Sequence, residues 1–246
     1  MNDIMTLAAQ LHLPYIKNNY NEAINEARDK QFSYEDFLAL ILNKEIDLRK
    51  QNGINARIRK AKFPYLKVFE EMDFTAFSLE ISNKIRELQS LNFVNTGQNV
   101  ILVGNPGVGK THTAIALGVR ACMASKSVLY ITVLNLITEL KESMTINQLT
   151  AYKKKFINYD LVILDELGYI SFDKQGGELL FNLLSMRNDT KSIIITTNLA
   201  FNKWHDIFND PILTAAMVDR LTCKAHVINI KGDSYRMRET KEWLNK

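Results

Sequence analysis

Short apolar runs alternate with longer amphipathic segments from about residue 99 to residue 230. The runs are rich in β-branched residues and have the length of buried strands. They lie at residues 99–103, 128–132, 161–165, 192–197 and 226–230. The segments between them have the composition and spacing of amphipathic helices. Because strands that alternate with helices pair in parallel and are covered on both faces, the pattern predicts an α/β fold with a parallel sheet flanked by helices.

The part of the chain that precedes these strands has the pattern of helices. Residues 7 to about 62 contain few glycines, and Phe37, Leu38, Ile41, Leu42 and Ile46 have helical spacing. Ser33 stands three residues before Asp36, which is the spacing of a capping box and predicts a helix start. Phe63-Pro64 ends the region, because a residue before proline avoids the helical conformation. We therefore expect a small all-helical domain over residues 1–68 and the α/β domain over residues 69–246.

A further helix is predicted between these two regions, over residues 72–91. Its apolar residues Phe77, Ile81, Ile85 and Leu88 form one stripe. Residues 95–97, Asn-Thr-Gly, then lead into the first strand.

Composition and charge restrict the class of protein. The 246 residues are 46% hydrophobic and 24% charged, as in a globular protein, and contain no apolar run near 18 residues. The N-terminus lacks the pattern of a signal peptide. The isolated cysteines Cys122 and Cys223 predict reduced core residues of a cytoplasmic protein. A net charge of +4 permits contact with nucleic acid without requiring it.

The clearest motif follows the first predicted strand and opens a predicted helix. It reads Gly104-Asn105-Pro106-Gly107-Val108-Gly109-Lys110-Thr111 and fills every fixed position of a phosphate-binding P-loop. In this motif main-chain N–H groups converge on phosphate oxygens, Lys110 reaches the β- and γ-phosphates and Thr111 ligates Mg²⁺. His112 follows beside the phosphates. A chance glycine-rich turn is the alternative, and the strand–loop–helix context argues against it. The motif predicts binding of a nucleoside triphosphate.

Two carboxylates and an amide end the strands that would complete this site. Asp165 and Glu166 close the third predicted strand, where we expect Asp165 to hold magnesium and Glu166 to activate the attacking water. An ordinary strand followed by an acidic helix cap is the alternative. Asn198 ends the fourth strand and falls between the P-loop and Glu166 if that strand lies between the other two. It would then position the water or sense the γ-phosphate, whereas its alternative role is to form a turn.

Together these motifs resemble the AAA+ ATPases, in the branch of the DnaC-type helicase loaders and the IstB-like helper ATPases of insertion sequences. The resemblance to the IstB-like family extends from about Tyr20 to Arg238 and includes blocks outside the nucleotide site. These blocks are residues 61–74 at the junction of the two domains, Asp165-Glu166-Leu167-Gly168-Tyr169, Thr197-Asn198-Leu199-Ala200-Phe201 with Trp204, Asp219-Arg220-Leu221, and Gly232-Asp233-Ser234-Tyr235-Arg236.

The resemblance implies roles for two arginines. Arg220 aligns with the arginine finger that completes the ATP site of a neighbouring subunit, and Arg236 aligns with the sensor 2 arginine that contacts nucleotide in its own subunit. A guanidinium can neutralise the charge that spreads over phosphate oxygens in the transition state. A surface ion pair is the alternative for each. We expect Arg236 to act from a short terminal segment, because the chain leaves no room for a sizeable helical lid.

Basic residues concentrate before the α/β domain. Residues 44–70 contain eight Lys or Arg and three acidic residues. Such density suits phosphate contacts that do not depend on base sequence. The residues that we expect to contact DNA are Arg57, Arg59, Lys60, Lys62 and Lys67. A second run, residues 153–155, is Lys-Lys-Lys. A solvated helix face is the commoner meaning of such runs, and the family resemblance favours DNA contact for the first cluster only.

These observations predict an ATPase that uses ATP and Mg²⁺, binds double-stranded DNA, forms an ATP-dependent homo-oligomer and assists a transposase, without a membrane partner. A helicase loader of the DnaC type is the alternative. A small nucleotide kinase shares the P-loop, but such enzymes have an Arg-rich lid and lack the Asp-Arg-Leu block.

Overall fold

The computed structural model describes residues 3–188, 190–232 and 234–244. The chain forms two compact units, residues 1–56 and 57–246. The sequence pattern predicts a domain boundary after residue 68, whereas in the structure residues 57–68 belong to the second unit. Within that unit Ala61 is fully buried and its carbonyl accepts a hydrogen bond of 2.8 Å from the Tyr130 N–H. This segment is therefore held against the sheet through a main-chain hydrogen bond.

The first unit is helical in its described part. Its helices are α1 (Ile4–Gln10), α2 (Pro14–Asp29) and the greater part of α3 (Tyr34–Lys60). The buried carboxylate of Glu45 accepts the N–H groups of Tyr15 and Ile16 at 2.8 and 3.2 Å, and so caps the first turn of α2. Ser33 caps α3 as predicted, because its hydroxyl accepts the Asp36 N–H at 3.1 Å.

The second unit contains the sheet and the helices that cover it. Its elements are α4 (Leu79–Leu88), α5 (Asn92–Asn95), β1 (Val100–Gly104), α6 (Lys110–Met123), β2 (Val128–Thr132), α7 (Val133–Thr145), α8 (Leu149–Asn158), β3 (Leu161–Leu167), α9 (Lys174–Ser185), β4 (Ser192–Thr197), α10 (His205–Phe208), α11 (Pro211–Thr222), β5 (His226–Ile230) and α12 (Tyr235–Leu244). All five predicted strands are present, and the alternation of strands and helices follows the predicted pattern.

The five strands form one parallel sheet in the order β2-β3-β4-β1-β5. Alternate residues of each strand face opposite sides of the sheet. Both sides are largely buried along β1, β2, β3 and β4, whereas Val227 and Asn229 of the edge strand β5 are exposed. One face, which includes Leu102 and Ile163, packs against α6. The other face, which includes Ile101 and Leu164, packs against α7 and α9. The carboxyl ends of β1, β3 and β4 therefore meet at one edge, with β4 in the middle.

Two local predictions are wrong. The helix predicted over residues 72–91 begins only at Leu79, because the Ser78 hydroxyl accepts the Ile81 N–H and starts α4 there. Before it, Asp73 caps a short 3₁₀ turn, and Phe77 is extended instead of lying on the helical stripe. The prediction that both cysteines are core residues holds for Cys122, whereas Cys223 is exposed.

Within the described ranges, no helix has the length and apolar character needed to cross a membrane.

Candidate functional site

The P-loop connects β1 to α6 as the sequence predicts. β1 ends at Gly104 and α6 begins at Lys110. Gly107 has a φ of 82°, and a Cβ placed there would lie 2.1 Å from the Ser234 hydroxyl oxygen. The Gly107 carbonyl also accepts the Tyr235 N–H at 2.9 Å. The loop therefore requires glycine at this position and is covered by the segment that enters α12.

Lys110 is the first residue of α6 and has only 7% of its surface exposed. Its ammonium donates hydrogen bonds of 2.8 Å to the Gly104 and Asn105 carbonyls, and so bends back over the loop. The first N–H groups of α6 have no acceptors within the helix, and the helix dipole is positive at this end. This arrangement of a cation, a helix N-terminus and a curled loop suits the binding of phosphate.

Asp165 lies beside the P-loop and accepts hydrogen bonds from three hydroxyl groups. Its carboxylate is 2% exposed. Oδ1 accepts from Thr111 at 3.0 Å and from Thr196 at 2.5 Å, and Oδ2 accepts from Tyr130 at 2.5 Å. Burial, followed by the hydrogen bond to Asp165 and its charge, raises the pKa of Tyr130 well above its usual value, so this hydroxyl remains a donor.

The adjacent carboxylate of Glu166 faces a different environment. The pairing of β3 with β4 shifts register between Leu164 and Leu167, and Glu166 has a φ of 64° within this irregularity. The shift exposes the Glu166 side chain, whereas Asp165 stays buried. Bulges of this kind redirect side chains next to functional sites. Two neighbouring carboxylates are thereby directed to two different positions.

A cavity of about 300 Å³ adjoins these groups. The predicted nucleotide-binding residues that line it are Gly107, Val108, Gly109, Lys110, Thr111 and His112, and the predicted catalytic carboxylate of Glu166 lines it as well. Gly104, Asn105 and Pro106 belong to the same loop but do not line the cavity. Burial lowers the pKa of His112, partly opposed by its hydrogen bond to the main chain of Val68, while nearby Lys67 lowers it further. The volume falls at the lower end of the range of small-molecule sites.

Thr111 and Asp165 are the residues that would hold Mg²⁺. A hydroxyl and a carboxylate are hard oxygen donors, and the 3.0 Å between Thr111 Oγ1 and Asp165 Oδ1 brings them together. Mg²⁺ is usually held by one or two carboxylates together with substrate phosphates, and not by a cage of protein ligands. Among the described residues, no cluster of three or more His, Cys, Asp or Glu side chains could hold a metal ion. The donor set fits the ion.

Asn198 immediately follows β4, which lies between β1 and β3. Among the described residues, no hydrogen-bond partner is found for its buried Oδ1 atom. β4 therefore has the central position that is needed for Asn198 to lie between the P-loop and Glu166. Its role as a water-positioning or sensor residue stays a prediction.

Of the two predicted arginines, only the side chain of Arg220 is described, and Arg220 does not line the cavity. The Arg220 guanidinium is exposed, donates to the Ser185 hydroxyl and stacks 4.6 Å from the ring centre of Phe181. Both partners lie on α9. The side chain of Arg236 falls outside the described part of the chain. The finger and sensor 2 roles remain predictions.

The basic residues proposed to contact DNA differ in their surroundings. Arg59 and Lys60 are exposed at the end of α3. Lys62 is also exposed, but its Nζ lies 3.6 Å from a Glu139 carboxylate oxygen. In contrast, Arg57 Nε donates to the Cys122 carbonyl at 2.8 Å.

Lys67 lines the nucleotide cavity and lies 3.8 Å from Glu71. Arg59 and Lys60 are therefore the members of the cluster best placed to contact DNA.

Sequence reasoning did not identify Thr196 and Tyr130, although both contact Asp165. Thr196 also lines the cavity. The signal for Thr196 is a hydroxyl residue near the end of a strand of isoleucines, beside the predicted Asn198. Tyr130 gives no local signal, because an aromatic residue in an apolar strand indicates only a core position.

A family model described as IstB-like ATP binding protein matches residues 6–243. A protein of Pseudomonas aeruginosa, named as an ATP-binding protein of insertion sequence IS21, is 37% identical over 243 residues, 98% of this chain and 91% of the relative. A protein of Geobacillus stearothermophilus, named likewise for insertion sequence IS5376, is 34% identical over 230 residues, 94% of this chain and 92% of the relative.

Solved structures share the fold. The DnaC helicase loader superposes with a TM-score of 0.53 and 22% sequence identity, over 74% of this chain and 99% of the loader. At this identity the likeness concerns the fold alone, which is the AAA+ type of P-loop fold predicted from the sequence.

Proposed function

Because this chain belongs to the family of IstB-like ATP-binding proteins, we propose that it is an ATP-hydrolysing, DNA-binding helper of a transposase. The observation that carries the proposal is that two adjacent carboxylates lie in different environments. Asp165 is buried beside Thr111, whereas Glu166 faces the cavity that Lys110 also lines. A site that only bound ATP would not need a second carboxylate in that position.

In the proposed reaction, Lys110 and the N–H groups of the P-loop bind the β- and γ-phosphates. Thr111 and Asp165 would hold Mg²⁺, and the bound ion would reduce the charge repulsion between phosphate and nucleophile. Glu166 accepts a proton from the water that attacks the γ-phosphate, and the products are ADP and phosphate. Asn198 orients this water or contacts the γ-phosphate, since its strand ends between β1 and β3.

Subunit assembly would complete the site. Arg220 is exposed and held by Ser185 and Phe181 of its own subunit, so its guanidinium is available to the ATP site of a neighbour. Arg236 would act on nucleotide within its own subunit. ATP would then bridge subunits of a homo-oligomer, and hydrolysis would dissolve the assembly.

The proposed macromolecular partners are double-stranded DNA and the cognate transposase. The names of the relatives place them in insertion sequences, which supports a transposase as partner. We propose that the helical region before the ATPase domain contacts DNA or the partner, with Arg59 and Lys60 as phosphate contacts. These contacts would be largely independent of base sequence.

A DnaC-type helicase loader is the alternative function. Its support is the similarity of fold, which at 22% identity says nothing of the partner. The relatives at 34–37% identity are named as insertion-sequence proteins. The comparison therefore favours a role in transposition.

The test is strand transfer by the cognate transposase in the presence of this protein, DNA and ATP, with Glu166→Gln as the comparison. We expect the wild-type protein to stimulate strand transfer in an ATP-dependent manner. Stimulation of a replicative helicase, without any effect on the transposase, would favour the loader function.

A further inference from the structure

The hydroxyl of Tyr130 reaches Asp165 from the edge of the sheet. Tyr130 pairs with Ile163 in the register of β2 and β3, and Asp165 follows two residues later on the same face of β3. The Tyr130 side chain leans along its strand and places its hydroxyl 2.5 Å from Asp165 Oδ2. Both residues are more than nine-tenths buried.

This hydrogen bond fixes the orientation of the Asp165 carboxylate relative to the P-loop. A carboxylate has two equivalent oxygens and can rotate about its terminal torsion. Tyr130 engages Oδ2, so that Oδ1 is directed to Thr111 and Thr196. Without the phenol, buried Oδ2 would lose this donor, and the carboxylate would turn to share the threonine hydroxyls.

Tyr130 is itself anchored by the segment that follows α3. Its N–H donates to the Ala61 carbonyl at 2.8 Å, and its ring centre lies 6.3 Å from that of Phe63. Phe63 in turn packs closely on α6, since a Cβ at Gly118 would lie 2.8 Å from the Phe63 ring. The main chain and ring of Tyr130 are therefore held independently of its hydroxyl.

We propose that Tyr130 is a positioning residue for the magnesium site, which holds Asp165 in the orientation that the ion requires and is itself set by the segment Ala61–Phe63. The inference rests on the proposed function, because it assumes that Thr111 and Asp165 hold Mg²⁺ with bound ATP. Tyr130 does not line the nucleotide cavity. Its effect reaches the reaction only through Asp165.

The experiment compares Tyr130→Phe with Tyr152→Phe in the full chain. Tyr152 is the control, because its partly buried hydroxyl also donates to a carboxylate, that of Glu139 at 2.7 Å, and neither residue lines the nucleotide cavity. Binding of a fluorescent ATP analogue is titrated first in EDTA and then with increasing Mg²⁺. Thermal unfolding of each variant is followed in parallel.

For Tyr130→Phe we expect unchanged affinity for the analogue in EDTA. The Mg²⁺ concentration that gives half of the full Mg²⁺ effect on analogue binding should rise about tenfold or more. Tyr152→Phe should keep the wild-type Mg²⁺ dependence, even if its Tm falls as far as that of Tyr130→Phe. An unchanged Mg²⁺ requirement in folded Tyr130→Phe would overturn the inference.

A second variant keeps the test decisive if Tyr130→Phe does not fold. Phe63→Leu loosens the packing of the Tyr130 ring and keeps the phenol, so we expect a smaller rise in the same Mg²⁺ requirement. Wild-type Mg²⁺ dependence in Phe63→Leu would then count against the inference. If the wild-type protein itself shows no effect of Mg²⁺ on nucleotide binding, the proposed ATPase function fails first, which separates the two conclusions.

Discussion

The main-chain N–H of Glu166 donates a 3.0 Å hydrogen bond to the hydroxyl oxygen of Thr196. The same hydroxyl donates to Asp165 on the other side. A single threonine on β4 thus fixes the main chain that carries the proposed base and the carboxylate proposed to hold Mg²⁺. The irregular pairing of β3 with β4 at this point is stabilised by a side chain instead of a regular ladder of hydrogen bonds.

Replacing Thr196 by Val removes this hydroxyl and keeps the branched shape of the buried side chain. We expect hydrolysis to fall by about 10- to 100-fold, because the Asp165 carboxylate and the main chain of Glu166 both lose a positioning contact. ATP affinity in the absence of Mg²⁺ should change little, since Lys110 and the P-loop are unaltered. Turnover and nucleotide binding measured on the same preparation provide the check, and an undiminished turnover would assign no role to Thr196.

Glu166→Gln should bind ATP and assemble normally but hydrolyse it about 10²–10⁴-fold more slowly, because an amide cannot accept a proton from water. The side chain is exposed, so the fold should tolerate the change. Phosphate release under single-turnover conditions measures the chemical step. Wild-type turnover would place the catalytic carboxylate elsewhere.

Lys110→Ala should abolish ATP binding, since its ammonium is the main positive charge that faces the β- and γ-phosphates. Lys84→Ala is the matched control, because Lys84 is exposed and pairs with neighbouring Glu80 on α4 at 2.7 Å. Equilibrium binding of labelled ATP distinguishes them. Normal affinity in the Lys110 variant would rule out the P-loop assignment.

Substitution of both Arg59 and Lys60 by Ala should weaken DNA binding. The slope of log affinity against log salt concentration should become less steep by about 0.9 for each lost phosphate contact. Lys154 and Lys155 are exposed on α8 and provide the control pair. Arg57 is left in place, because loss of its hydrogen bond to the Cys122 carbonyl would cost about 1–3 kcal/mol of stability. An unaltered slope would remove the end of α3 from the DNA interface.

Arg220→Ala should leave nucleotide binding of the monomer intact and abolish most ATP hydrolysis in the assembly. Arginine fingers contribute about 10³–10⁵ in rate, so a large defect is expected. A mixture with Lys110→Ala gives the sharper test, because some mixed interfaces pair an intact P-loop with an intact Arg220. Partial recovery of hydrolysis is the expected result. No recovery in mixtures that co-assemble would show that Arg220 acts within its own subunit or only structurally.

The sequence by itself determined the elements that depend on local pattern. β2, β4 and β5 have the predicted bounds, and the P-loop lies between β1 and α6 as expected. A strand buried on both faces carries mostly apolar residues, and a phosphate-binding loop must carry its glycines and lysine in order. The helix predicted over residues 72–91 is absent over residues 72–78, because the capping side chains of Asp73 and Ser78 outweighed the apolar spacing.

The tertiary structure alone decided how the site is assembled. The order of the strands brings Tyr130, Asp165 and Thr196 onto three neighbouring strands, and the shift in register turns Glu166 away from Asp165. Tyr130 and Thr196 are 66 positions apart in the sequence, so no local pattern links them. Their convergence follows from strand pairing, which closes long loops and satisfies main-chain groups from distant segments. Because these pairings join distant segments, the convergence could not be derived from composition or spacing.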